Sequence, residues 1–175
     1  QKWATEDTCR YIYDNMPSVM SVDGRAAILE KAVAEMSHDG GLILEFGVFS
    51  GYSINMLAEL LPDENIVGFD SFKGLPEDWR DGYAKDRFKM AARPKGRENV
   101  TLEVGYFEDS LPPFLSRQDG NAPISLLHVD CDLYSSTKTI FAELGDRIAK
   151  GTVILFDEYF NYDGWREGEF KAFQE

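Results

Sequence analysis

Leu42-Ile43-Leu44-Glu45-Phe46-Gly47-Val48-Phe49-Ser50-Gly51-Tyr52-Ser53 is the stretch on which the fold turns. Its first five residues form an apolar run broken only by Glu45, as in a strand buried on both faces. Gly47 to Gly51 supplies a turn, because glycine takes backbone angles closed to other residues. A helical pattern runs from Ser53 to Leu61 and stops at Pro62, which disfavours helix at the residue before it. Ile66-Val67-Gly68-Phe69 is a second short apolar run, closed by Asp70. Strand, glycine turn, helix and strand in that order predict an α/β protein with a mostly parallel, doubly wound sheet.

The rest of the chain continues the alternation. Val100–Val104 reads as a third strand, Ile124–Val129 as a fourth and Thr152–Phe156 as a fifth. Ser135–Ile148 is a helix with Ile140, Phe141, Leu144 and Ile148 on one face. Residues 3–36 read as helices, with Asp23 as a cap before Ile28, Ala32, Val33 and Met36; His38-Asp39-Gly40-Gly41 ends them. Residues 71–98 are polar and punctuated by Gly74, Pro76, Gly82, Pro94 and Gly96. They predict a long loop with a helical insert near Ala84–Ala92, and loops of that length usually carry function. Residues 166–175 begin a last helix. The chain divides into an N-terminal helical segment, 1–38, and an α/β core, 40–175, within one domain.

Composition excludes several function classes. In 175 residues, 43% are apolar and 28% charged, as in a globular protein. Eighteen Lys and Arg against 31 Asp and Glu give a net charge of −13. Such a chain is poorly suited to nucleic acid, whose phosphates need cations, or to an anionic membrane surface. No apolar run approaches a membrane span, and the polar start at Gln1 is not a signal peptide. Cys9 and Cys131 make no disulfide framework. We expect a reducing, cytoplasmic setting and two free thiols; the sequence leaves homo-oligomerisation open.

The surplus acid is not evenly spread. Every strand but the third runs into carboxylates: Glu45, Asp70, Asp130 with Asp132, and Asp157 with Glu158. In a doubly wound sheet those ends form the ligand crevice. A dinucleotide turn needs glycine where this chain has Phe49 and Tyr52. Phe49 would crowd a pyrophosphate, so the turn suits S-adenosylmethionine (SAM), which has none. An NAD-dependent oxidoreductase is the alternative. Asp70, 23 residues after Gly47, is placed to accept the ribose hydroxyls. Ser71 and Phe72 would flank an adenine, and the Gly105–Ser110 stretch, with Phe107 and Asp109, would close its other side. Glu45, Gly47, Gly51 and Asp130 complete the expected cofactor set.

Asp130, Asp132, Asp157 and Glu158 make an oxygen-rich site of the kind Mg²⁺ prefers. The bland reading is loose carboxylates paired with Arg147, Arg166 or Lys171. His128 reads as a hydrogen-bonded core histidine or as a base. Tyr134, Tyr159, Phe160, Tyr162 and Trp165 would stack on a substrate or simply pack.

Four segments together resemble the macrocin O-methyltransferase family of class I SAM-dependent methyltransferases. They are Leu44–Gly51, Gly68–Pro76, Gly105–Pro112 and His128–Thr137, followed by Asp157-Glu158-Tyr159-Phe160. The resemblance spans about residues 40–175. It implies that Gly47 and Gly51 hold the methionine end of SAM and Asp70 the ribose. It implies that Asp130, Asp157 and Glu158 ligate Mg²⁺ and that Asp132 is the general base toward a hydroxyl of a small sugar-like acceptor. Relatives have two aspartates where this chain has Asp157-Glu158. They also add a sixth and a seventh strand, which this chain lacks, so we expect residues beyond Glu175. A homologue that binds SAM without turnover is the non-enzymatic alternative.

Overall fold

The computed structural model describes residues 2–37, 40–118 and 120–175. Two helices, α1 (Lys2–Asn15) and α2 (Gly24–Ala34), precede β1 (Leu42–Phe46), α3 (Tyr52–Leu60) and β2 (Ile66–Asp70). Then follow β3 (Val100–Val104), α4 (Phe107–Ser116), β4 (Ile124–Val129), α5 (Tyr134–Leu144), β5 (Val153–Phe156) and α6 (Glu169–Gln174). The five strands lie in the order β3-β2-β1-β4-β5, and every adjacent pair is parallel. The chain leaves β1 toward β2 on one side and returns to β4 on the other. The carboxyl ends of β1 and β4 therefore flank the topological switch, where such sheets bind ligands.

The buried strands are the apolar runs of the sequence. All six residues of β4 are buried, as are four of the five in β1 and in β2. One face packs Phe46, Phe69, Leu127 and Val129 against α4 and α5 through Leu111, Phe114, Ile140 and Leu144. The other packs Ile43, Ile66 and Leu126 against α2 and α3 through Leu29, Ile54 and Leu57. Each such side chain contributes about 1.5–3 kcal/mol when fully buried. A third cluster seats α1 against the C-terminal segment, with Ala4 and Tyr11 on Tyr162, Trp165 and Phe170.

Two expectations change. The helical insert near 84–92 is instead a series of turns with one bridge between Arg80 and Tyr83. Helix α4 was not legible, because Pro112 and Pro113 fall inside it, and proline removes a helical hydrogen bond. Asp23 stands at the start of α2 with extended backbone but makes no side-chain cap. His38 and Asp39, read as part of a helix break, lie outside the described residues. Among the described residues there is no sixth or seventh strand, and β5 pairs only with β4. Phe156 of β5 packs against Phe141 and Phe173.

Candidate functional site

The site begins with the turn after β1. Gly47 has φ +96°, and a Cβ built there would lie 1.7 Å from the carbonyl oxygen of Asp130. A side chain is excluded because the ends of β1 and β4 touch. Val48 and Phe49 donate their N–H groups to Asp70 Oδ2 at 2.9 and 2.7 Å, and Phe72 donates to Oδ1 at 2.6 Å. Phe49 and Phe72 both have positive φ, a conformation that costs an L-residue roughly 1–2 kcal/mol. Hydrogen bonds to a charged acceptor, worth about 1.5–3 kcal/mol each, offset it. Asp70 thus ties the turn together, with three of a carboxylate's roughly four acceptor positions used.

Beyond the turn lies a cavity of about 340 Å³, within the size range of small-molecule sites. Gly47, Asp70, Ser71, Phe107, Asp130, Asp132, Asp157 and Glu158 all line it. Four other expected cofactor residues do not. Glu45 is wholly buried and Phe72 packs in the core. Gly51 opens α3 with φ +82°, its Cβ position 2.9 Å from Pro94, and Glu108 lines the cavity where Asp109 was expected.

The acidic end is built by backbone bonds that extend the ladder past the strands, from Asp130 to Phe46 O and from Asp157 to Val129 O. Burial first, then the neighbouring Asp157 charge, push the Asp130 carboxyl up to about 7. Burial and the charge of Asp130 push Asp132 up to about 7 as well. Glu158 is raised by burial and by Asp157. Asp132 has φ +66°, another strained position. Glu169 of α6, fully buried, supports it. This carboxylate accepts the N–H groups of Cys131, Asp132 and Glu158 at 3.4, 3.2 and 3.2 Å. Burial holds Glu169 itself well above the usual carboxylate range.

Arg25 of α2 brings a cation to this end, 2.7 Å from Asp157 Oδ2 and 3.5 Å from Asp130 Oδ2, and the Arg80 charge partly offsets the rise of Asp132 and Glu158. The three basic residues suggested by sequence lie elsewhere: Arg147 donates to the carbonyls of Gly120 and Ala122, Arg166 grips Asp7, and Lys171 pairs with Glu167. His128 is buried, with Nδ1 2.9 Å from Glu45 Oε2, and Ser53 Oγ donates to Glu45 Oε1 at 3.0 Å. Burial pulls the imidazole pKa down. The Glu45 hydrogen bond and the charges of Glu45, Asp130 and Asp157 outweigh it and raise the group above ordinary histidine. Among the described residues, ligand atoms of His128, Asp130 and Asp157 lie within 4.8 Å of one another; Glu158 is not in that group.

Sequence reasoning missed Arg25, Glu169, Trp79 and Tyr83, the last two lining the cavity from the 71–98 loop. His128, read from the sequence as a hydrogen-bonded core histidine or a base, is the buried partner of Glu45. Of the aromatic group, Tyr162 and Trp165 pack against α1, and Tyr134 donates to Glu175.

Comparison with known proteins follows this geometry. A family profile described as a methyltransferase domain matches residues 44–159. The chain is 29% identical over 147 residues to demethyldecarbamoylnovobiocin O-methyltransferase of Streptomyces niveus, covering 68% of this chain and 53% of that protein. It is 29% identical over 160 residues to 8-demethyl-8-(2,3-dimethoxy-alpha-L-rhamnosyl)-tetracenomycin-C 4'-O-methyltransferase of Streptomyces olivaceus, covering 75% and 58%. The chain therefore spans a little over half the length of these relatives. Among solved structures, a calicheamicin methyltransferase superposes with TM-score 0.67 at 24% identity over 95% of this chain and 76% of that one. Its apo form, described as a TDP-rhamnose 3'-O-methyltransferase, gives 0.64 at 22% identity over the same shares. These likenesses carry the fold, a Rossmann-like methyltransferase sheet.

Proposed function

The chain belongs to the methyltransferase-domain family, and on that premise we propose that it moves a methyl group from SAM to a hydroxyl of a small molecule. The acceptor is a sugar or glycosylated metabolite, by analogy with the rhamnosyl and TDP-rhamnose acceptors named for its relatives. A divalent cation, Mg²⁺ by the resemblance, assists. The observation that carries this reading is the shared cavity: the glycine turn and Asp70 at one end, Asp130, Asp132 and Asp157 at the other. Family membership and the tight Phe49 turn also weigh against the dinucleotide alternative.

The residues fit both groups. Gly47 lines the cavity where the touching ends of β1 and β4 leave no room for a Cβ, and the donors at the far end are hard oxygens with one imidazole. Gly47 would sit against the methionine end of SAM. Asp70 retains about one acceptor position for a ribose hydroxyl, and Ser71 and Phe107 line the cavity beside it. Asp130 and Asp157 would hold the cation. When bound, SAM supplies an electrophilic methyl on sulfur, and a cation supplies charge that acidifies a neighbouring hydroxyl.

The chain's own residues do the rest. Asp132 takes the acceptor's proton on a carboxylate oxygen, and its pKa near 7 suits a general base at neutral pH. Glu169 fixes the loop that carries it. Trp79 and Tyr83 present aromatic walls to the acceptor, and closing the cavity around it excludes water. The N-terminal helices belong to the same working unit, because α2 delivers Arg25 and α1 packs on Trp165. The free thiols of Cys9 and Cys131 agree with a reducing, cytoplasmic setting, and no helix among the described residues is long and apolar enough to cross a membrane. Calorimetry with SAM tests the cofactor: binding by the intact protein and weakened binding by Asp70→Asn are expected, and silence from both refutes it. Transfer of labelled methyl to hydroxylated sugars, lost on EDTA treatment, tests the acceptor class and the cation.

A further inference from the structure

We propose that His128 is a metal ligand in this protein, completing a site with Asp130 and Asp157, and that Glu45 aims its imidazole. The inference rests on the reading that a divalent cation occupies the acidic end of the cavity. It changes the ligand set, and with it the ion.

The geometry is that of an imidazole held from behind. His128 is 2% exposed. Its Nδ1 is committed to Glu45 Oε2 at 2.9 Å, and Ser53 Oγ occupies the other oxygen of that carboxylate at 3.0 Å. The ring therefore has one orientation. No hydrogen bond of Nε2 is formed among the described residues, and none joins the ring to Asp130 or Asp157. Yet ligand atoms of the three residues fall within 4.8 Å of one another. Two ligands each about 2.0–2.2 Å from a metal stand roughly 3–4 Å apart, so small side-chain shifts close the set. A carboxylate bonded to the far nitrogen of a metal-bound histidine fixes its tautomer and raises its basicity, and Glu45 stands in that position. An imidazole already bonded to a buried carboxylate in a merely structural pair would not be expected within reach of two further carboxylates.

The strand explains why these residues meet. Asp130 follows β4 directly, two residues after His128, and its N–H bond to Phe46 O continues the ladder, so the two share a face; β5 runs alongside in register, His128 opposite Leu155, so that Asp157 arrives next to Asp130. Oxygen-only sites favour Mg²⁺. Adding an imidazole shifts preference away from Mg²⁺ toward first-row transition ions such as Fe²⁺ and Zn²⁺, for which Mn²⁺ serves as the paramagnetic probe. Arg25, now on Asp157 and Asp130, gives way when the ion enters.

The full chain is titrated with MnCl₂ while the EPR signal of free Mn²⁺ is followed, MgCl₂ is then added as competitor, and the bound Mn²⁺ is examined by pulsed EPR for coupling to ¹⁴N. We expect Mn²⁺ to bind about tenfold or more tighter than Mg²⁺, with the coupling of a directly bound imidazole. The chain has two histidines. Coupling that persists in His38→Gln assigns the signal to His128 even if His128→Gln fails to fold. Glu45→Gln should weaken Mn²⁺ by about tenfold or more with the coupling retained. Bound Mn²⁺ without ¹⁴N coupling, or displacement by equimolar Mg²⁺, overturns His128 ligation and leaves the cation reading intact. Failure of both ions to bind overturns both.

Discussion

Replacing Gly47 by alanine tests the contact on which the cavity is built. The new Cβ would be 1.7 Å from the backbone oxygen of Asp130, about half the separation of an ordinary contact. That obstacle is main chain at the end of a buried strand, so relief requires moving β1 from β4 and not a side-chain rotation. Overpacking of this kind costs about 1–3 kcal/mol. The φ of +96° adds roughly 1–2 kcal/mol for an L-residue. Together they amount to about 2–5 kcal/mol, a large share of the 5–15 kcal/mol that holds a typical domain folded. Gly82→Ala is the control, because Gly82 has nearly the same kind of backbone, φ +83°, with nothing within 4 Å of the added carbon. It should cost only the conformational part, about 1–2 kcal/mol. Gly51→Ala falls between, since its obstacle is the Pro94 side chain at 2.9 Å. Urea unfolding monitored by tryptophan fluorescence ranks the three. Calorimetry should show SAM binding weakened by about tenfold or more in Gly47→Ala, equivalent to 1.4 kcal/mol or more, and little changed in Gly82→Ala. If Gly47→Ala and Gly82→Ala lose the same stability, the clash has no energetic reality and the argument from touching strand ends falls.

Other outcomes follow from the acidic end. Arg25→Ala should lower the melting temperature without metal, because Asp157 and Asp130 lose their cation, and should tighten Mn²⁺ binding several-fold by removing a competitor; weaker binding would refute the competition. The pH dependence has a definite sign. Asp130 and Asp132 titrate near 7 in the folded chain and near 3.8 when exposed, and His128 is also raised. Across roughly pH 4 to 7 the folded state therefore binds more protons than the unfolded one, and stability in EDTA should fall as pH rises. Melts between pH 5.5 and 8 that show the opposite slope would refute this. Asp132→Asn should cut methyl transfer by about 10²–10⁴ with SAM affinity nearly unchanged; equal losses in both would make Asp132 structural.

What was legible in the chain was what repeats locally. Leu42–Phe46, Ile66–Asp70 and Ile124–Val129 declared themselves as strands because central parallel strands are apolar on both faces. Their terminal acids followed, since strand ends in this architecture meet at one edge. The positions of Asp70, Asp130, Asp132 and Asp157 around one cavity needed no more than that. Helix α4 was hidden because its apolar face, Leu111 and Phe114, is interrupted by two prolines that tertiary packing overrides. Arg25 and Glu169 were illegible for a different reason. Arg25 reaches carboxylates 105 and 132 residues away and Glu169 reaches N–H groups 11 to 38 residues away, and nothing in an amphipathic helix marks which charged residue will face inward.

The two missed residues and Glu45 also explain how so acidic an edge can fold. Asp130, Asp132 and Asp157 crowd together where burial disfavours charge, and the Asp157 charge helps raise the pKa of Asp130 and Asp132. Without compensation such a cluster would open the sheet ends. Arg25 neutralises the outer pair from α2. Glu169 adds a further acid, but spends it on three backbone N–H groups, so it fastens the 131–132 and 158 loops in place of repelling them. Glu45 spends its charge on His128 and Ser53 inside the sheet. Each partner comes from an element remote in sequence and tightens the link between the N-terminal helices, the C-terminal helix and the sheet. Asp130, Asp132, Asp157 and Glu158, which face the cavity, keep unfilled lone pairs. An ion or an acceptor hydroxyl binding there relieves repulsion that the fold has confined to that one place, so ligand binding and folding stability should rise together.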